Sequence, residues 1–256
     1  MPHPELERLT NDFGWENRLV ARSQRNAFDN PNWSGSATTF SDDQSESLSD
    51  AGSSSWWYET RNKIIFGALN DQSIAWKVAQ RAHEEGATFV LTNAPIAMRM
   101  GEINALAAET GSQVIPADAT SIEDLTNLVT QAQEILGGKI DFVLHSIGMS
   151  PNVRKGKHYT ENDYNYYNQS MDVSAISLHK TLATLYKQDA MNEWGSVIAL
   201  SYIAAQRIFP DYNDMADAKS LLESIARSFG YHYGIAKKVR VNTISQSPTV
   251  TTAGQG

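Results

Sequence analysis

"KIIFGALNDQSIAW", residues 63–76, carries an apolar run of strand length into a segment of helical period through a turn that holds one glycine, Gly67. The run has no polar alternation, the pattern of a strand covered on both faces. Five more runs repeat it: "TFVLTN" (88–93), "QVIPAD" (113–118), "IDFVLHS" (140–146), "SVIALSY" (196–202) and "VRVNTIS" (239–245). Between them lie "SIAWKVAQRAHEEG", "AMRMGEINALAAETG", "SIEDLTNLVTQAQEILGG", "TENDYNYYNQSMDVSAISLHKTLATLYKQDA" and "YNDMADAKSLLESIARSFGYHYG", all of helical period. Thr120-x-x-Glu123 and Thr160-x-x-Asp163 read as helix starts, and Gly86, Gly111 and Gly137 as helix stops. Strict alternation of this kind predicts right-handed βαβ units and an α/β fold with a doubly wound parallel sheet.

Residues 1–60 differ from the rest. "DNPNWSGSATTFSDDQSESLSDAGSSS" (29–55) is rich in Ser and Asp and poor in aliphatics, so burial cannot offset its ordering entropy. The expected organisation is a disordered or weakly structured extension over 1–60 and one catalytic domain over 61–256. With a net charge of −8 across 256 residues, the chain has no basic field for a nucleic acid or an anionic membrane. The absence of cysteine excludes disulfides, thiolate nucleophiles and cysteine-ligated metal. No apolar run nears the ~20 residues of a membrane span, and the N-terminus has no secretory core, so the expected location is the cytoplasm.

In a doubly wound sheet, ligands bind at the carboxyl ends of the strands where strand order reverses. The first strand ends at Gly67, and Ser73-Ile74 opens the helix after it. That arrangement offers a dinucleotide pyrophosphate a close backbone and a helix N-terminus. A single glycine is not G-x-G-x-x-G, and a plain βα turn with a capping serine fits it too. At Asn93-Ala94, after the second strand, there is neither an acid for a ribose nor an arginine for a 2′-phosphate, so NADH and NADPH both remain open. Asp118 is either an adenine contact or an acid beside the next helix N-terminus. Ser146, Ile147 and Gly148 form a small ledge at the switch point, with Ser150 at its edge; His145 reads as a structural residue. After the sixth strand, residues 248–253 can fold over a cofactor.

Tyr202 ends the fifth strand, Tyr212 follows ten residues later, and Lys219 seven after that. On one helix, Tyr212 and Lys219 would share a face roughly 10 Å apart. A phenol can donate to an oxygen that gains negative charge during hydride delivery, and a lysine two turns on can grip a ribose held between them. A tyrosine and a lysine on a surface helix would show the same spacing.

"FGALNDQSIAW", "DFVLHSIGMSP", "SYIAAQRIFPDYNDMADAK" and "VRVNTISQSPTVTTAG" together resemble the bacterial NADH-type enoyl-acyl-carrier-protein reductases of the divergent short-chain dehydrogenase/reductase superfamily, from Lys63 to the last residue. The resemblance implies a Rossmann-like fold and reduction of a trans-2-enoyl thioester, the last step of each fatty-acid elongation cycle. The wider superfamily uses Tyr-x3-Lys; here Met215 stands four before Lys219, and the seven-residue spacing is the enoyl reductase form. The resemblance gives Tyr212 the enolate, Tyr202 a second active-site tyrosine, and Lys219 the nicotinamide ribose. Gly67, Ser73 and Ile74 would meet the pyrophosphate and ribose; Ala94, Asp118 and Ala119 the adenosine; and Ser146, Ile147 and Gly148 the nicotinamide side. Thr249, Val250, Thr251, Thr252 and Ala253 would cover the cofactor, and Ser150 and Met215 would face the substrate. It also implies NADH as cofactor, acyl carrier protein as partner, no metal, and a homotetramer. The family continues past "TTAGQG" with a substrate-covering helix, a further helix and a seventh strand, and offers no role for residues 1–60. A carbonyl-reducing member of the superfamily and a non-catalytic dinucleotide-binding fragment are the alternatives.

Overall fold

The computed structural model describes residues 61–100 and 102–246. The expectations for residues 1–60 and for 248–253 therefore lie outside the described residues. Among the described residues six strands form one parallel sheet: β1 (Asn62–Phe66), β2 (Thr88–Thr92), β3 (Gln113–Val114), β4 (Ile140–His145), β5 (Met191–Tyr202) and β6 (Arg240–Gln246). Their spatial order is β3-β2-β1-β4-β5-β6, so the order reverses between β1 and β4. That is the doubly wound, Rossmann-like sheet expected from the alternation of runs.

Helices α1 (Ile74–Glu84) and α2 (Glu102–Thr110) cover one face of the sheet. The other face carries α3 (Ile122–Leu136), α6 (Ser177–Lys187) and α7 (Asn213–Lys237). Successive residues of a strand go to opposite layers. Ile64 and Phe66 pack with Leu125, Leu128, Leu178, Leu182 and Leu222, while Ile65 packs with Trp76, Ala79, Ile103 and Leu106. Two covered faces explain why the strands read as continuous apolar runs.

Several boundaries differ from expectation. The β3 ladder is two residues long, yet Ile115 and Ala117 still donate to Leu91 and Asn93 (2.9 and 3.0 Å), so the chain keeps alongside β2 as far as Ala117. β5 begins at Met191, five residues earlier than expected, because an irregularity carries the strand past Asn192–Gly195: Ile140 pairs with Met191, but Phe142 with Ser196. The helix starts also shift. Ser121, not Thr120, caps α3 by accepting from the Asp124 N–H, and Asp163, not Thr160, caps α5 (Tyr164–Met171). Gly86, Gly111 and Gly137 follow their helices with positive φ, as stops do. Between α5 and α6 the helix widens into a π turn, Asp172–Ile176. The short helix α4, Pro151–Arg154, follows β4.

Candidate active site

The crevice forms where β1 and β4 end side by side. Gly67 adopts φ 87°, and a Cβ there would lie 2.0 Å from the Ser146 carbonyl oxygen, so only glycine lets the two strand ends approach this closely. The Gly67 N–H donates to Thr92 O at 3.1 Å, which ties β2 into the same rim. Ser73 caps α1, accepting from the Trp76 N–H at 3.3 Å and donating to Asn70 O at 2.8 Å. The N-terminus of α1, beginning at half-buried Ile74, is the positive end of the helix.

On the β2–β3 side, Ala94 is half-buried and its N–H is taken by the Asn93 side chain at 2.9 Å. Asp118 spends Oδ1 on the N–H and hydroxyl of Thr120 (2.8 and 2.7 Å), shaping the turn into α3; Ala119 beside it is buried.

Behind the ledge after β4 lies Lys219, only 6% exposed. Its Nζ donates to Leu200 O at 2.7 Å and Ile147 O at 3.5 Å, bridging the ends of β5 and β4. Burial lowers its pKa to about 8, so the ammonium form holds at neutral pH. Gly148 covers it: a Cβ on Gly148 would stand 3.6 Å from Nζ and 3.3 Å from Met215 Cε. His145 is buried; Ser177 donates its hydroxyl to Val173 O (2.7 Å) and so accepts from His145 Nε2 (2.9 Å). Burial first, and then the Lys219 charge, lower the His145 pKa to about 3, leaving a neutral imidazole.

Tyr202 and Tyr212 meet at this edge, ring centroids 4.6 Å apart, with Phe209 on the Tyr202 ring at 5.4 Å. Tyr212 is not on the helix that carries Lys219. It ends a 3-10 turn, Pro210–Tyr212, and Asn213 then takes φ 41°, ψ −133° before α7 proceeds. The shared helix face expected from the spacing is thus replaced by a turn that delivers the ring to Tyr202. Desolvation, and then Tyr202, raise the Tyr212 pKa, so the phenol stays protonated and can donate.

The two residues expected to face the substrate are both buried. Ser150 is 4% exposed; its hydroxyl donates to Asp214 Oδ1 at 2.6 Å and accepts from the Val153 N–H as the cap of α4. Met215 is buried, with Sδ at 3.5 Å from the Ser174 hydroxyl. Sequence reasoning missed Asp214, Asn152, Ser170 and Ser174. Ser174, in the π turn, accepts from the Met149 N–H at 2.9 Å and pins the ledge from behind. The available signal was the i, i+4 stripe Asp214-Ala218-Leu222, an acid heading a buried helix face.

Among the described residues no cluster of His, Cys, Asp or Glu is arranged to hold a metal, and no helix is long and apolar enough to cross a membrane. The donor set suits a dinucleotide: a glycine-only approach of two strands, a helix N-terminus beyond it, and a buried cation under a glycine ledge.

The family model described as enoyl-(acyl carrier protein) reductase matches residues 67–256. A curated relative, the enoyl-acyl-carrier-protein reductase (NADH) FabI of Rickettsia bellii, is 34% identical over 193 residues, covering 75% of this chain and 71% of its own. Reductase (NADH) 1 of Rhizobium meliloti is 33% identical, covering 75% and 70%. Among solved structures, the FabI–NADH complex from Alistipes finegoldii superposes with a TM-score of 0.76 at 62% identity, covering 77% of this chain and 70% of that one. The chain belongs to the enoyl-acyl-carrier-protein reductase family.

Proposed function

We propose that this chain reduces the carbon–carbon double bond of a trans-2-enoyl thioester borne on acyl carrier protein, with NADH as reductant, the last step of a fatty-acid elongation cycle. The observation that carries this is the grouping at the carboxyl edge of β4 and β5. Lys219 is buried behind the Ile147–Gly148 ledge, the Tyr202–Tyr212 pair meets at the same edge, and Met215 stands four before the lysine. NADH is the cofactor named for the relatives, and neither Asn93 nor Ala94 supplies the cation that a 2′-phosphate needs.

A nicotinamide held here would supply the hydride. Gly67, Ser73 and Ile74 take the pyrophosphate at the α1 N-terminus, Ala94, Asp118 and Ala119 the adenosine, and Ser146, Ile147 and Gly148 the nicotinamide. The Lys219 ammonium has three N–H donors; two face the carbonyls of Leu200 and Ile147, and the third is available to the ribose. Tyr212, held protonated, donates to the thioester oxygen as negative charge develops on it, and Tyr202 backs its ring. We assign residues 249–253 to the cofactor side. Ser150 and Met215 act on the substrate through the ledge they support. A homotetramer in the cytoplasm completes the proposal; exposed Tyr231 and Ile235, one turn apart on α7, support an apolar contact between copies.

The test is NADH oxidation with a crotonyl thioester of acyl carrier protein against simple ketones. Turnover of the thioester alone is expected. Turnover of ketones alone would install the carbonyl reductase reading, and calorimetric NADH binding without any turnover would install the non-catalytic one.

A further inference from the structure

The first turn of α7 begins beside Tyr212 and is polar where a helix packed onto its own domain is ordinarily apolar. Asn213 and Asp214 are buried and Asp217 half-buried, and their side chains hold one segment of chain, residues 150–170. Asn213 donates to Lys157 O and accepts from the Asn162 amide, both at 2.6 Å. Asp214 accepts from Ser150 Oγ (2.6 Å), Asn152 Nδ2 (2.9 Å) and Ser170 Oγ (2.9 Å). Asp217 accepts from the hydroxyls of Tyr159 (3.0 Å) and Tyr167 (3.1 Å). Those partners are 44 to 64 positions away in sequence, so the turn latches a remote strap onto the site.

Asp214 is the centre of the latch. It is fully buried, and its donors among the described residues are all neutral, aided by the positive end of α7. An unpaired buried carboxylate is costly, and an apolar side chain would fill the head of the Asp214-Ala218-Leu222 stripe at lower cost. The neighbouring backbone is strained as well. Asn213, a non-glycine at φ 41°, joins Tyr212 to Asp214, and such a conformation persists only where its surroundings over-determine it. The other end of the latch reaches the ledge: Ser150 bonds Asp214, and Met149 before it is held by Ser174.

We propose that Asp214 is a positioning residue of the reductase site. Through Ser150, Asn152 and Ser170 it locks the 150–170 strap to α7 and so fixes Tyr212 relative to the Ile147–Gly148 ledge. This rests on the function proposed above. Asp214 touches no reacting atom. Its effect is registration of two groups that the chain brings in from different elements, the ledge after β4 and the turn before α7.

The experiment compares the full chain with Asp214→Ala, Asp214→Asn and Ser150→Ala. It measures kcat and KM for a crotonyl thioester, NADH affinity, and the fraction of protein that binds NADH. Asp214→Ala is expected to lose about 10- to 100-fold in kcat, the scale of a small misplacement of reacting groups, with NADH affinity within about 3-fold and the binding fraction unchanged. Asp214→Asn, which keeps the shape and two acceptor bonds, recovers much of that loss, and its effect does not add to that of Ser150→Ala. Unchanged kcat in the variants overturns the inference, as does a loss that merely tracks a falling NADH-binding fraction. If Asp214→Ala does not fold, Asp214→Asn and Ser150→Ala decide alone, wild-type kcat in both being the overturning result. A wild-type chain that binds NADH and turns over no enoyl thioester instead fails the functional reading, and this inference with it.

Discussion

The ring of Tyr212 lies 4.6 Å from that of Tyr202, tilted by 43°. Tyr202 comes from the end of β5 and Tyr212 from the turn before α7, so the pair is a junction between two elements. Tyr202→Phe keeps the ring contact and is expected to lose under about 10-fold in kcat. Tyr202→Ala removes the contact with both Tyr212 and Phe209 and is expected to lose more, since aromatic pairs contribute about 0.5–1.5 kcal/mol beyond their buried area. Steady-state kinetics of the two variants side by side check this.

Lys219 makes NADH binding depend on pH. Its folded pKa of about 8 lies below the ordinary 10.5, so the folded chain sheds this proton first and loses the cation that faces the ribose. NADH affinity is expected to be flat through neutrality and to weaken as pH rises past about 8. Lys219→Arg, which stays charged, removes that inflection; Lys219→Gln binds weakly throughout. Between about 8 and 10.5 the unfolded chain holds more protons than the folded one, so this group's contribution to stability rises with pH over the same window. Fluorescence titration of NADH from pH 6 to about 10 reads the affinity change.

His145 acts in the opposite range. With its folded pKa lowered to about 3 from 6.5, the unfolded chain binds a proton that the folded chain refuses. Stability is therefore lost as pH falls below 6.5, by about 1.4 kcal/mol per unit until the folded pKa is reached. Urea midpoints from pH 7 to about 4 should show a shallower acid limb for His145→Gln than for the wild type; equal slopes would remove His145 from the account.

Gly67→Ala tests the crevice itself. The added Cβ meets the Ser146 carbonyl at 2.0 Å and the backbone is already at φ 87°, so the strand ends must part. A loss of about 2–4 kcal/mol in unfolding free energy is expected, together with weaker NADH binding. Gly148→Ala, whose Cβ meets only the flexible ends of Met215 and Lys219 at 3.3 and 3.6 Å, should be milder in stability. Thermal melts of the two variants give the comparison.

The sheet was legible because each strand is buried on both faces: Ile64 and Phe66 go to one layer and Ile65 to the other, leaving an unbroken apolar run in the sequence. The position of Gly67, Lys219 and the tyrosines at the crevice was legible because each lies at or beyond a strand end, where such folds hold ligands. What spacing could not show was Asn213. A single positive φ takes Tyr212 off the helix and turns an expected shared face into a contact with Tyr202. The Asp214 network was hidden for a different reason. Its partners Ser150, Asn152 and Ser170 are 64, 62 and 44 positions away, and polar residues on one helix do not announce partners at that range. Ser121 displaced Thr120 as a cap because Asp118 had already taken the Thr120 hydroxyl.

The most direct test of the central claim is the rate of NADH oxidation with a crotonyl thioester by the wild-type chain and by Tyr212→Phe. Removing one pre-aimed donor to a developing oxyanion costs about 10²–10³ in kcat. Tyr212→Phe is expected to show a loss of that size with NADH affinity unchanged. Equal turnover by the two proteins would contradict it.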